Sequence, residues 1–137
     1  MELPQTFRGS CHCGAITFRV TLRSSVVLDC NCSVCRKKGI LHAIVPLEDF
    51  ERLPPGEVRG TTTATATDDP VTTYAFNTGI AKHTFCYRCG VQPFYTPRSH
   101  PDMVDVNPRC LDDVPLGHFD IRPFDGSEWE RNVETIR

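Results

Sequence analysis

No run in the chain approaches the roughly 20 consecutive apolar residues that a bilayer-spanning helix requires. A helical integral membrane protein is therefore not expected. The opening stretch MELPQTFRGS has no basic start followed by an apolar segment, so it does not resemble a secretory leader. The expected location is the cytoplasm, with the nucleus as the other candidate. An excess of positive charge is also missing: the formal net charge is -2, which disfavours counterion-driven binding, so nucleic acid is not an expected partner. Several catalytic signatures are missing. There is no His-Glu-x-x-His, no His-x-Glu paired with Pro-Cys-x-x-Cys, no phosphate-binding glycine loop and no Gly-x-Ser-x-Gly. No histidine pair follows either Cys-x-x-Cys at zinc-finger spacing. Internal repeats and low-complexity linkers are absent too.

What the sequence does contain is a globular composition, 39% hydrophobic and 23% charged over 137 residues, which predicts one folded domain spanning 1–137. Its local patterns are those of strands. In CHCGAITFRVTL, apolar Ile16, Phe18, Val20 and Leu22 alternate with polar neighbours, the period-two pattern of a half-buried strand. SSVVLDCNC reads as a second strand and ILHAIVPLEDF as a third ending near Pro46, followed by the turn-rich LPPGEVRG. The threonine-rich stretch 61–78, broken by Asp68, Asp69 and Pro70, predicts a hairpin. KHTFCYRCGVQPFY predicts strand, turn and strand, and MVDVNPRCL and HFDIRPF add one strand each. Only the tail GSEWERNVETIR predicts a short helix, with Ser127 as N-cap and Glu130 at the capping-box position. The expected class is a mostly antiparallel β-domain.

The chain is rich in cysteine, with 8 residues, and in a reducing compartment such density points to metal rather than disulfides. In FCYRCG, Cys86 and Cys89 form a Cys-x-x-Cys-Gly knuckle that aims both sulfurs at one point. Cys11 and Cys13, at i and i+2 on an extended segment, point to the same side. Together the two pairs predict a closed four-cysteine structural site. DCNCSVCRKKG presents Cys30, Cys32 and Cys35, three sulfurs for one metal with a tetrahedral position left over. Three protein ligands and an open position is the catalytic arrangement. Two alternatives stand beside it. Cys110 would close a second structural site if it joined the trio, and otherwise reads as a small buried apolar residue. Histidine is the other source of a fourth ligand, but His12 should point away from its flanking cysteines, and His42, His83, His100 and His118 lack ligand spacing. Seven thiolates and two Zn²⁺ would make the folded chain about three units more acidic than its formal charge.

GSCHCGAITF, CNCSVCRKKG, KHTFCYRCGVQPFYTPRS and NPRCLD, in that order and spacing, resemble the glutathione-dependent formaldehyde-activating enzymes, a family that also includes centromere protein V. The resemblance implies a β-tent, a distorted antiparallel arrangement stabilised by two zinc ions per chain. Cys11, Cys13, Cys86 and Cys89 would hold the structural zinc, and Cys30, Cys32 and Cys35 the substrate-facing one. It further implies a carbon-sulfur lyase of the S-hydroxymethylglutathione synthase type, acting on glutathione and formaldehyde. Arg36, Lys37, Tyr95 and Arg98 are the candidate substrate contacts, with Lys38 in the same basic turn, and Phe94 is expected in the core. The alternative is a non-catalytic, zinc-scaffolded interaction module of the centromere protein V type, suggested by GVQPFYTPRS and FDGSEWE.

Overall fold

The computed structural model describes residues 1–65 and 68–137. Among them the architecture is mostly β, with strands β1 (Gln5–Ser10), β2 (Thr17–Leu22), β3 (Val26–Cys30), β4 (Leu41–Pro46), β5 (Phe50–Leu53), β6 (Val71–Tyr74), β7 (His83–Cys86), β8 (Phe94–Tyr95), β9 (Met103–Val106) and β10 (Asp120–Phe124). Two single-turn helices accompany them, α1 (Cys35–Lys38) and α2 (Trp129–Asn132). The strands form a three-stranded sheet in the order β1-β2-β5, a five-stranded sheet β10-β3-β4-β9-β8 and the β6-β7 ribbon. No helix among the described residues is long and apolar enough to cross a membrane.

The alternation seen in the sequence explains the core. Phe18, Val20 and Leu22 all leave one face of β2 and are fully buried, because successive strand residues point to opposite sides. Phe7 from β1 joins them, and across the interior they meet Val27, Leu41, Ala43, Val45 and Val106 of the five-stranded sheet. Phe94 packs against this core as expected, its ring edge-on to Phe18 at 5.9 Å and to Phe50 at 4.9 Å.

Four local expectations meet a different outcome. β1 and β5 carry weaker alternation than β2 and were not legible, yet each pairs with β2 along one edge. The pairing is antiparallel throughout except that β10 runs parallel to β3, reached by a long connection rather than a hairpin. The hairpin expected over 61–78 runs through positions 66 and 67, outside the described residues. Within the described part, 61–65 is not strand and β6 pairs forward with β7 instead. Asp69 accounts for the start of β6: its carboxylate accepts the Val71 N–H at 2.9 Å and is held by Arg52 at 2.7 Å. At the tail, Ser127 does not cap a helix, because its hydroxyl donates to the Asp125 carboxylate; 3-10 turns at Gly126–Glu128 and Val133–Thr135 flank the single turn of α2.

Candidate metal centres and substrate cleft

All eight cysteines are free thiols, and seven of them gather in two clusters. Cys11 follows β1, Cys13 lies in the next turn, and Cys86 and Cys89 bracket the turn after β7. Their four sulfurs lie within 4.8 Å of one another. Cys13 Sγ is 3.6 Å from Cys11 Sγ and 3.7 Å from Cys86 Sγ, close to the sulfur spacing of a tetrahedral thiolate site. The knuckle closes because Gly90, at φ +80°, returns its N–H to the Cys86 carbonyl at 2.8 Å. Burial raises the Cys86 thiol to about 12. On Cys13 burial is outweighed by the Ala15 N–H and the Arg88 guanidinium, which lower it to about 7. His12 is exposed.

The second cluster is built where β3 ends. Cys30 is the last residue of β3, Cys35 opens α1, and the turn between carries Cys32. The Cys32 N–H points at Cys30 Sγ (3.5 Å) and the Cys35 N–H at Cys32 Sγ (3.4 Å). Gly126 comes so close that a Cβ there would collide with Cys30 Sγ and stand 2.9 Å from Cys32 Cβ. Hydrogen bonds from Cys30 and Cys35 hold the Cys32 thiolate down to about 2, while the hydrogen bond to Cys32 pushes Cys30 up to about 11, and bonds to Cys30 and Cys32, with burial, push Cys35 upward as well. One negative charge is thus stable here and a second is resisted. A divalent cation removes that conflict, and a buried set of soft sulfur donors is the chemistry that zinc favours.

The five-stranded sheet adds a group that spacing alone could not place. A ring nitrogen of His42 lies within 4.8 Å of the Cys30 and Cys35 sulfurs. His42 is on β4. In the register, Ile44, two residues on and on the same face, pairs with Asp105 of β9, which in turn pairs with Tyr95 of β8. The three side chains therefore converge. His42 Nδ1 is 2.8 Å from Asp105 Oδ2 and 3.1 Å from the Tyr95 hydroxyl, with all three residues buried. The one legible sign was the carboxylate inside the apolar run MVDV. Cys110 stays outside both clusters; its thiol points at the Gln92 carbonyl (3.8 Å), and burial pushes it up to about 12.

This cluster forms part of the wall of a cleft of about 510 Å³, a size typical of small-molecule sites. Arg36, Tyr95 and Arg98 line it, together with His83, Phe76 and Trp129. Arg98 lies 3.7 Å over the Trp129 ring and 3.8 Å from Glu130, which fixes its guanidinium at the rim. Lys37 is exposed and away from the cleft lining, and Lys38 turns to donate to the Gln92 side chain at 2.9 Å. His83 stacks on Tyr95 at 5.0 Å and on Phe76 at 5.3 Å. Burial, with the nearby Lys38 charge, holds it down to about 4.

The family model described as glutathione-dependent formaldehyde-activating enzyme matches residues 6–125, which contain both clusters. The chain belongs to that family. The formaldehyde-activating fold also has a solved counterpart: the crystal structure of a Rhodobacter sphaeroides protein, 30% identical, superposes with a TM-score of 0.70 over 85% of this chain and 99% of that one. In this member of the formaldehyde-activating family, two Cys/His groups can hold metal ions.

Proposed function

We propose that this single-domain protein is a cytoplasmic, zinc-dependent carbon-sulfur lyase-type enzyme that joins glutathione, or a related thiol, to formaldehyde. The reading rests on one observation, the Cys30, Cys32 and Cys35 cluster standing in the wall of a ligand-sized cleft while the four-cysteine cluster is packed into the fold. In this reading Cys11, Cys13, Cys86 and Cys89 hold a structural zinc and the trio holds a second. Zinc bound at the trio would lower the pKa of a substrate thiol and so supply a thiolate near neutral pH. The reaction forms one carbon-sulfur bond and moves the thiol proton to the former carbonyl oxygen.

The chain's own groups bind and orient. Arg98, braced by Trp129, offers a fixed planar donor for a glutathione carboxylate, and Arg36, which also lines the cleft, offers a second. Phe76, His83 and Tyr95 form an apolar wall that limits water around the reacting sulfur.

The test follows carbon-13 formaldehyde with glutathione by NMR. Zinc-loaded protein is expected to accelerate formation of S-hydroxymethylglutathione above the spontaneous rate, and Cys32→Ser to abolish the acceleration while retaining the fold. Identical rates with and without the zinc-loaded protein would overturn the assignment.

A further inference from the structure

The geometry points to His42 as the fourth protein ligand of the second metal, held in register by Asp105. The inference rests on the reading that Cys30, Cys32 and Cys35 bind that metal.

Three observations carry it. His42 places a ring nitrogen within 4.8 Å of two of the sulfurs, while its own ring is almost wholly buried. That close group comprises Cys30, Cys35 and His42; Cys32, the third sulfur of the turn, lies outside it and would be drawn in by a metal bound there. Nδ1 is already committed to the Asp105 carboxylate, at 2.8 Å. That bond makes Nδ1 the proton-bearing nitrogen and leaves Nε2 with the lone pair that binds metal. Nε2 is buried without any hydrogen-bond partner among the described residues. A buried polar nitrogen left unsatisfied is costly, and a metal at the trio would satisfy it. Carboxylate, histidine and metal in line is the arrangement that fixes a ligating imidazole's tautomer and orientation. Tyr95, 3.1 Å from Nδ1, packs the ring in place.

The consequence is a centre with three anionic sulfurs and one neutral nitrogen. The imidazole would be the only uncharged donor of that centre. The opening of this site would then depend on a histidine from β4, not on a position left empty by the cysteine turn.

The test uses cadmium-113 in place of zinc and nitrogen-15 histidine in the full chain. Two metals per chain with a resolved coupling between one cadmium and a His42 nitrogen are expected. His42→Ala should bind the second metal at least about tenfold more weakly in chelator competition while the first keeps its affinity. Two metals without coupling to His42, or unchanged second-site affinity in His42→Ala, would overturn this inference alone. A wild-type chain that binds only one metal would overturn the three-cysteine reading with it. The coupling is read on the wild-type protein, so a poorly folding variant does not blunt the test.

Discussion

Asp105 and His42 form a buried pair, 2.8 Å apart, on neighbouring strands of the five-stranded sheet and beside a cysteine cluster built from a different part of the chain. The carboxylate is placed by the β4–β9 register, so its effect on the cluster is exerted through the imidazole. Asp105→Asn keeps the size of the side chain but removes the charge that directs Nδ1–H. Second-site metal affinity is expected to fall about 10-fold to 100-fold with the first site unchanged. Chelator competition resolves the two sites, and an equal loss at both would indicate a general defect in the fold.

Gly126 is where the chain after β10 touches the sulfurs. Gly126→Ala would force a methyl group onto Cys30 Sγ and against Cys32 Cβ. Native mass spectrometry is expected to show the zinc count dropping from two to one, with the remaining ion at the four-cysteine cluster. Retention of both ions would show that the turn relaxes around the methyl.

The two clusters should differ in what their loss does. Cys11, Cys13, Cys86 and Cys89 tie the N-terminal strands to the β6–β7 ribbon, so the binding energy of a metal held there would be largely folding energy. Cys86→Ala is expected to lose cooperative thermal unfolding by calorimetry. Cys32→Ser, at the cleft, is expected to keep it. Equal melting profiles for the two variants would contradict the division into structural and functional centres.

Phe18 is fully buried between Phe50 and Phe94. Phe18→Ala opens a cavity at the centre of the main core and is expected to cost about 3–5 kcal/mol in urea unfolding. A loss below about 1 kcal/mol would mean the surrounding rings collapse into the space.

The pH profile should carry the mark of His83. Its folded pKa is about 4 and its unfolded value about 6.5. Between those values the unfolded chain binds the proton and the folded chain does not. The contribution to stability is complete above about pH 6.5 and is lost as pH falls toward 4. His83→Phe keeps the stacking on Tyr95 and should flatten the difference in urea stability between pH 7 and pH 5. A wild-type slope unchanged in the variant would assign the acid sensitivity to other groups.

Much of the fold was legible because its signals are local. Phe18, Val20 and Leu22 show the period of a half-buried strand in six residues, and Cys86, Cys89 and Gly90 specify their turn by themselves. β5 was not legible, since Phe50–Leu53 becomes a strand only by pairing with β2. The same holds for β6, whose partner follows a loop instead of preceding it. Ser127 carried a capping signal that lost to a stronger competitor, the Asp125 carboxylate two residues away.

By itself the sequence determined which neighbouring sulfurs can point the same way, because i, i+2 and i, i+3 spacings constrain side-chain direction through a few backbone angles. It determined the apolar face that drives the sheets together as well. Only the tertiary structure decided what surrounds the second cluster. His42, Tyr95 and Asp105 lie far apart in the chain and become neighbours through the β4–β9–β8 register. No local spacing encodes a pairing between distant strands, so the histidine beside the sulfurs and the carboxylate that orients it emerge only when the sheet closes.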